Sequence, residues 1–357
     1  MIYLFRHPST KTLRFEKAIQ SNKEFKGTLT EISTIRDGLV RILHDRRPAA
    51  EILQNIDAYL PHLEAIMVSL NAESAPSTTR HLSPTWTSCV MKKSLQCSIQ
   101  SLAYEAVMVY TLLAYATSVQ AHLELFEAHK GGTFEMTLPS AAKLLLRSAG
   151  IIKSLAPHYT SLFKLPLERP VECLSTFGEA LIALFEAEAQ ALIVEKAVSD
   201  KSPLVIAKLC FGVFDKCNAA LSILKSMTSD YSDLSPDFVV FIEELGNFYR
   251  AKGLRNQAMK MFSNDKAGEA VGLLRAARDH INHITSPPGS RAPYFAEIFQ
   301  NEVKEIENLL ERYNSELTLV YFQSVVPIEN IILEESFVIV EPIEYKTVEP
   351  EFQSIPV

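Results

Sequence analysis

A chain of 357 residues with 35 Lys and Arg against 42 Asp and Glu, formal charge −7, lacks the basic face that phosphate backbones require, which argues against nucleic acid as a partner. Its 47% apolar and 22% charged residues are a globular balance with room for a sizeable core. Cys89, Cys97, Cys173, Cys210 and Cys217 show no Cys-x-x-Cys spacing and read as reduced thiols of a cytosolic protein.

Met1 to Phe5 is too short an apolar run for a signal peptide, and no stretch approaches the roughly 18 apolar residues of a spanning helix. Ile2 excludes myristoylation and the C-terminus has no cysteine for prenylation, so membrane contact is expected only through partners or surface patches. Leu13 and Phe15 alternate with charge, which suits a short strand or an extended arm laid on helices. From Thr28 the period becomes helical, with Leu29, Ile32, Ile35, Leu39 and Ile42 on one side. A second helix follows from Ala49, broken or kinked at Pro61, and resumes to Leu70.

Residues 71–84 read as a loop, with Trp86 plugging a core edge at the next helix entry. The longest helix is predicted from Met91 to about Phe126, on a seam of Ile99, Leu102, Ala106, Val109, Leu113 and Ala116. Gly131-Gly132 ends it, and Pro139 starts another helix that closes at Leu155.

Two amphipathic helices between Leu181 and Leu224 organise the rest. The first buries Leu181, Leu184, Phe185, Ala189 and Leu192; the second opens at Pro203, capped by Ser202, and buries Ile206, Cys210, Val213, Cys217, Leu221 and Leu224. Ile193, Val205 and Leu209 fall off these stripes, about 100° round their helices. Such positions signal either burial on two sides or a second surface for a partner. Periodicity leaves both open.

A further helix is predicted from Phe238 to Tyr249. Asp265 to Ala277 carries Ala267, Gly268, Ala270 and Gly272, small residues that let helices approach closely and look like the second helix of a tetratricopeptide repeat, although a strict repeat of about 34 residues is absent. After the loop Thr285 to Ser290 comes a last amphipathic helix with Phe299, Val303, Ile306, Leu310 and Tyr313. Leu319 to Phe322 and Ser336 to Val340, among Pro327, Pro342 and Pro350, read as extended chain able to run back along the helical body at about 3.3 Å per residue.

Chemistry is sparse. There is no Gly-rich phosphate loop and no Gly-x-Ser-x-Gly elbow. His280 and His283 lack a third ligand nearby, and Glu243-Glu244 and Glu334-Glu335 read as surface pairs. No catalytic residue, cofactor or metal is expected.

In this order, several segments resemble the Bro-one (BRO) domain family, most closely its short plant-type endosomal targeting members. They are Leu102-Ala-Tyr-Glu-Ala-Val-Met-Val-Tyr110, Ala141-Ala-Lys-Leu-Leu-Leu-Arg-Ser-Ala-Gly-Ile-Ile-Lys153, Ala187-Glu-Ala-Gln-Ala191, Ile206-Ala-Lys-Leu209, Leu319-Val-Tyr-Phe-Gln323, Val326-Pro327 and Val340-Glu-Pro342. The resemblance implies an all-α, elongated, boomerang-shaped helical domain with a tetratricopeptide-like core, a small N-terminal β element and an extended C-terminal tail. It implies a single domain over residues 1–345, with 346–357 a short extended tail.

It also implies a non-enzymatic cytoplasmic adaptor, recruited to endosomes for multivesicular-body sorting, that binds the C-terminal amphipathic helix of an ESCRT-III subunit in a concave apolar groove. The family's anchors carry over to Ile193, Val205, Leu209 and Val338, with Lys143 as polar neighbour. Ile193 stands where a longer member has phenylalanine, which trims the groove. One extra residue lies between Tyr321 and Pro327, so a family tyrosine function is not carried over. The V-shaped domain, proline-rich tail and lipidated cysteine of other members have no counterpart. From the residues alone, the competing expectation is a helical repeat scaffold for a different protein client with no ESCRT link. The adaptor reading requires residues 193, 205 and 209 to stand open to solvent.

Overall fold

Helical periodicity prevails almost wherever the chain is apolar. The computed structural model describes residues 1–19, 21, 23–72, 82–162, 165–284 and 293–352, and it is all-α apart from one two-stranded ribbon. In chain order come α1 (Phe15–Ala18), α2 (Lys23–His44), α3 (Ala49–Ala72), β1 (Thr85–Trp86), β2 (Cys97–Ser98), α4 (Leu102–Lys130), α5 (Phe134–Ser154) and α6 (Ala156–Thr160). Then follow α7 (Ser175–Ala197), α8 (Pro203–Ser226), α9 (Pro236–Phe262), α10 (Ala267–Asn282) and α11 (Pro293–Glu316).

From α7 to α9 the helices stack as antiparallel neighbours. Glu186 pairs with Lys216 at 2.7 Å and Gln190 Nε2 donates to the Leu209 carbonyl at 2.8 Å, so α7 and α8 run in opposite directions. Close approaches of Gly246 to Cys217 and of Gly253 to Cys210 set α9 antiparallel to α8. Lys196 lies 3.8 Å from Glu135, and Gly178 faces Ile152, so α5 and α7 are antiparallel as well. Every predicted stripe residue of the central pair is buried.

Several boundaries differ from the sequence reading. The longest helix starts at Leu102, because Cys97 and Ser98 pair with Trp86 and Thr85; Ile99 therefore precedes the helix, and Trp86 is a strand residue. Pro61 sits inside a continuous α3, and Pro139 inside α5, where packing outweighs the lost amide bonds. Helix α9 runs on past Tyr249 through Gly253, whose missing Cβ makes room for the Phe211 ring. Leu317–Tyr321 is a π-helical turn ending at a left-handed Phe322, so only the chain beyond it is extended. Ser202 makes no side-chain cap. Glu244 is buried on α9. Residues 73–81 and the loop Thr285 to Ser290 lie outside the described residues.

Helix α4 is long and apolar enough to span a membrane, correcting the composition-based expectation, but 89% of its apolar window is buried inside the fold. A helix apolar all round is one surrounded by neighbours. Its buried part holds one carboxylate: Glu105 accepts from Arg36 Nε at 2.5 Å, Trp86 Nε1 at 2.7 Å and Tyr59 Oη at 3.2 Å. Burial opposes the Arg36 charge, yet Glu105 beside it holds the guanidinium pKa above its ordinary value. The extended N-terminal arm reaches this cluster, since Thr10 bridges Trp86 and accepts from Arg36 Nη2.

Candidate partner-binding site

Beyond Phe322 the chain becomes a strap across one face of the helices. Its bonds fall in sequence on α10 (Val326 N to Gly268 O, 3.1 Å), α8 (Phe337 N to Lys208 O, 2.9 Å), α5 (Ile343 N to Leu146 O, 3.0 Å) and α3 (Glu351 N to Pro61 O, 3.2 Å). Between them two glutamines clamp it. Gln257 of α9 donates to Ile332 O at 2.8 Å and accepts from Glu334 N at 3.2 Å. Gln190 of α7 donates to Phe337 O at 2.9 Å and accepts from Ile339 N at 3.2 Å. Phe352 packs edge-on against Phe25, so the docked chain continues past Tyr345.

A helical carbonyl can accept a second donor if nothing shields its other lone pair. Leu146, Lys208 and Gly268 are each followed four residues later by a glycine: Gly150, Gly212 and Gly272. A Cβ there would stand 1.7 Å from Ile343 O, 2.6 Å from Phe337 O and 2.0 Å from Val326 O respectively. The small residues of α10 thus admit the strap, where the sequence suggested another helix.

This frame places the expected binding residues. Lys143 lies one turn before Leu146 on α5, Ile193 one turn after Gln190 on α7, and Val205 one turn before Lys208 on α8. Because these three helices alternate in direction, all three residues fall on the same flank of the strap. Val338 sits on the strap between its bonded residues 337 and 339. Val205 and Val338 are each 38% exposed, Ile193 is half-buried and Lys143 is exposed. Leu209 is the exception. At 4% exposure it belongs to the core, contrary to the expectation that it stands open.

The flank is apolar with cations at its rim. Lys196 is 3.8 Å from Glu135 and Lys208 is 3.2 Å from Glu334, both at the surface. Nothing there resembles a catalytic set. His280 Nδ1 contacts Asn247 Oδ1 at 3.0 Å and His283 Nδ1 contacts the Asp279 carbonyl at 2.6 Å, and among the described residues no three His, Cys, Asp or Glu side chains converge on a metal site. The strap fasteners Gln190 and Gln257 and the exposed Phe337 and Ile339 were missed from sequence. For Gln190 a signal was available: a glutamine set among alanines, Ala187-Glu-Ala-Gln-Ala191, on a mostly apolar helix.

The same Ala187–Ala191 run contains Glu188, which accepts from Tyr3 N at 2.6 Å. Burial pushes its carboxyl pKa up to about 8, while the Tyr3 amide and the α-amino group pull the other way. The folded state therefore holds this proton up to about pH 8, whereas the unfolded chain releases it near 4.5, so the Glu188 contribution to stability falls as pH rises across that window. Glu188→Gln is expected to gain on the native protein by about 1.4 kcal/mol per pH unit between those limits, on the order of 4 kcal/mol from pH 5 to 8. Urea denaturation of both proteins at pH 5 and pH 8 measures it; parallel pH dependences would show that Glu188 ionises normally.

Comparison with known proteins agrees with this architecture. A BRO1-like domain family model matches residues 5–356. The chain is similar to BRO1 domain-containing protein BROX of Homo sapiens, 23% identical over 334 residues that cover 88% of this chain and 79% of the relative. The Mus musculus BROX is 22% identical over the same length. Among solved structures it resembles an ALIX BRO1 CHMP4C complex, with TM-score 0.73, 18% identity and coverage of 99% of this chain and 98% of that one. A Bro1 domain structure concerned with endosomal targeting matches with TM-score 0.69 and 15% identity over 96% of this chain and 92% of the other. At these identities the structural likeness shows the fold.

Proposed function

Because the chain belongs to the BRO1-like domain family, we propose that it is a non-enzymatic endosomal adaptor that receives the C-terminal amphipathic helix of an ESCRT-III subunit on the strap's flank. The observation that supports this reading is the partial exposure of Ile193, Val205 and Val338, on or beside the strap, with exposed Lys143 on the same flank as Ile193 and Val205. A partner helix laid along that flank would cover its apolar face and place an acidic residue near Lys143, the helix-in-groove mode. The similar ALIX domain has been solved as a complex with CHMP4C, which supports an ESCRT-III occupant here. Recruitment to endosomes from the cytoplasm would then follow from the partner. The adaptor unit is proposed as a single domain with a short terminal tail.

The contact is expected to be weak. Fully burying a side chain of this kind is worth about 1.5–3 kcal/mol, so three anchors already more than half buried supply roughly 2–4. Association costs at least about 4 kcal/mol. Useful occupancy therefore needs many partner tails presented together, as on a polymer.

Leu209→Asp is a poor probe, since it would bury a charge. Ile193→Asp with Val205→Asp is the suitable pair. Titration with beads that display many copies of the C-terminal peptide of each ESCRT-III subunit should find one that binds and loses about tenfold or more in apparent affinity with the double variant. The thermal melt should stay within a few degrees. Undiminished binding by the double variant would favour a scaffold for another client.

A further inference from the structure

Among the described residues, one half-buried cation lacks a counter-ion. Every other arginine that is buried or half-buried there, Arg36, Arg169 and Arg255, is paired with a carboxylate, of Glu105, Asp230 and Glu302 in turn. The buried or half-buried lysines, Lys196, Lys208, Lys216 and Lys252, each stand 3.8 Å or less from one as well. Arg250 of α9 is half-buried, yet it makes neither an ion pair nor a hydrogen bond among the described residues. Rings hold it instead. Its Cζ stands 4.8 Å from the centroid of Phe211 and 4.9 Å from that of Phe214, which seats the guanidinium without consuming its N–H donors. Partial burial holds its pKa below the ordinary arginine value, and Asp215 opposes that shift without forming an ion pair. A charge kept partly dehydrated and unpaired costs stability, and departures of this kind concentrate at functional positions.

The surroundings select the anion. Phe214 packs beside Gly246 of α9 and meets the ring of His280 of α10 edge-on at 6.3 Å, while His280 Nδ1 contacts Asn247 Oδ1. Burial, then Arg250 and His283, hold the His280 pKa below 6.5 against the pull of Asp279, so that ring adds no charge at neutral pH. Arg250 is thus the only permanent cation in contact with these rings, and the charges of Asp215 and Asp279 reach the same place. One cation bordered by two carboxylates favours a monoanion over a dianion such as a phosphate monoester. A planar carboxylate also fits the fork of a guanidinium already stacked on aromatic faces. Half-buried between rings, the guanidinium is within reach of one projecting side chain rather than of a flat headgroup layer.

We infer that Arg250, seated on Phe211 and Phe214, is a docking point for a glutamate or aspartate side chain of a partner protein, carried beside apolar residues that cover the Phe214 ring. The site is separate from the helix-binding flank. On α8, Phe214 lies beyond Gly212, on the side of the strap crossing away from Val205, so neither site depends on the other.

The test uses the whole chain and beads displaying many copies of the acetylated tripeptide Leu-Glu-Leu, with Leu-Gln-Leu and Leu-phosphoserine-Leu beads beside them. A buffer of about 0.15 M salt screens the chain's net charge of −7 beyond about 8 Å. The glutamate beads should hold the protein about tenfold more tightly than the glutamine beads. Arg250→Met, which keeps the stem over the rings, should abolish that difference, leave the thermal melt unchanged or raised, and leave the ESCRT-III bead titration as it was. Arg250→Lys, which keeps the charge without the planar fork, should lose about fivefold. In protein labelled with nitrogen-15 arginine, the soluble Leu-Glu-Leu peptide should shift the Arg250 Nε–H signal and leave that of Arg36 in place. Equal retention by glutamate and glutamine beads, undiminished retention of Arg250→Met, or tighter retention by the phosphoserine beads would each overturn the assignment. If Arg250→Met fails to fold, Arg250→Lys and the Arg250 signal decide it.

Discussion

Replacing Glu105 by glutamine is expected to cost about 3–5 kcal/mol, because it leaves the Arg36 guanidinium charged and unpaired in a site with no exposure. Trp86 Nε1 and Tyr59 Oη share the same carboxylate and would each lose a charge-assisted acceptor. The Arg36 ring of contacts cannot rearrange toward water, since its centre stacks 5.1 Å over Trp86 and its Nη2 is already spent on Thr10. The damage should reach the N-terminal arm. Thr10 and Trp86 hold that arm to the ribbon, and their bridge depends on the same cluster.

Removing both charges together, as Arg36→Met with Glu105→Leu, should restore only part of the loss: the buried charge is gone, but the Trp86 Nε1 and Tyr59 Oη donors still lose their acceptor. Urea denaturation of the two single variants and the double variant measures this, and the coupling between them isolates the pair. Single variants within about 1 kcal/mol of the native protein would mean that water already reaches the cluster.

Legibility in the sequence followed one physical rule. Where a helix buries a stripe, the period shows it, and the whole core face of α7 and α8 could be read from residues 181–224. Where a short segment takes its conformation from distant partners, the sequence misled. Residues 91–101 look helical in isolation, yet they are held as ribbon by Trp86 and by a bridge from Met91 to Leu234. Leu319 to Tyr321 has a strand-like composition, but α11 carries it on as a π-turn.

The expected site shows the same division. Val205 was placed correctly on an open face. Leu209, one turn on, was not: it is buried on the stretch of α8 between Lys208 and Gly212 that the strap crosses, and that strap is more than a hundred residues away in sequence and leaves no mark on the local period. The family resemblance supplied residue positions; only the strap's path shows which of them remain free.

That path yields the second large expectation, a reversal of sign. Gly→Ala inside a helix ordinarily stabilises by about 0.5–1 kcal/mol. Gly27 of α2, where an added methyl would have nothing within 4 Å, should behave this way. Gly150→Ala should instead destabilise by about 1–3 kcal/mol, since the new methyl would meet the Ile343 carbonyl at 1.7 Å and its carbon at 2.9 Å. Those are backbone atoms, so no rotamer change relieves the overlap and the strap itself must lift. Gly212→Ala meets both the Phe337 carbonyl and the Gln190 amide and should release the same segment from its other end.

Hydrogen exchange separates lifting from general weakening. The Phe337, Ile339 and Ile343 amides should lose protection in both variants while the amides of α4 keep theirs. Because Val338 rides on the lifted segment, affinity for a helical partner should fall along with the protection. Unchanged exchange at Ile343 in Gly150→Ala would mean that the helix, rather than the strap, gives way.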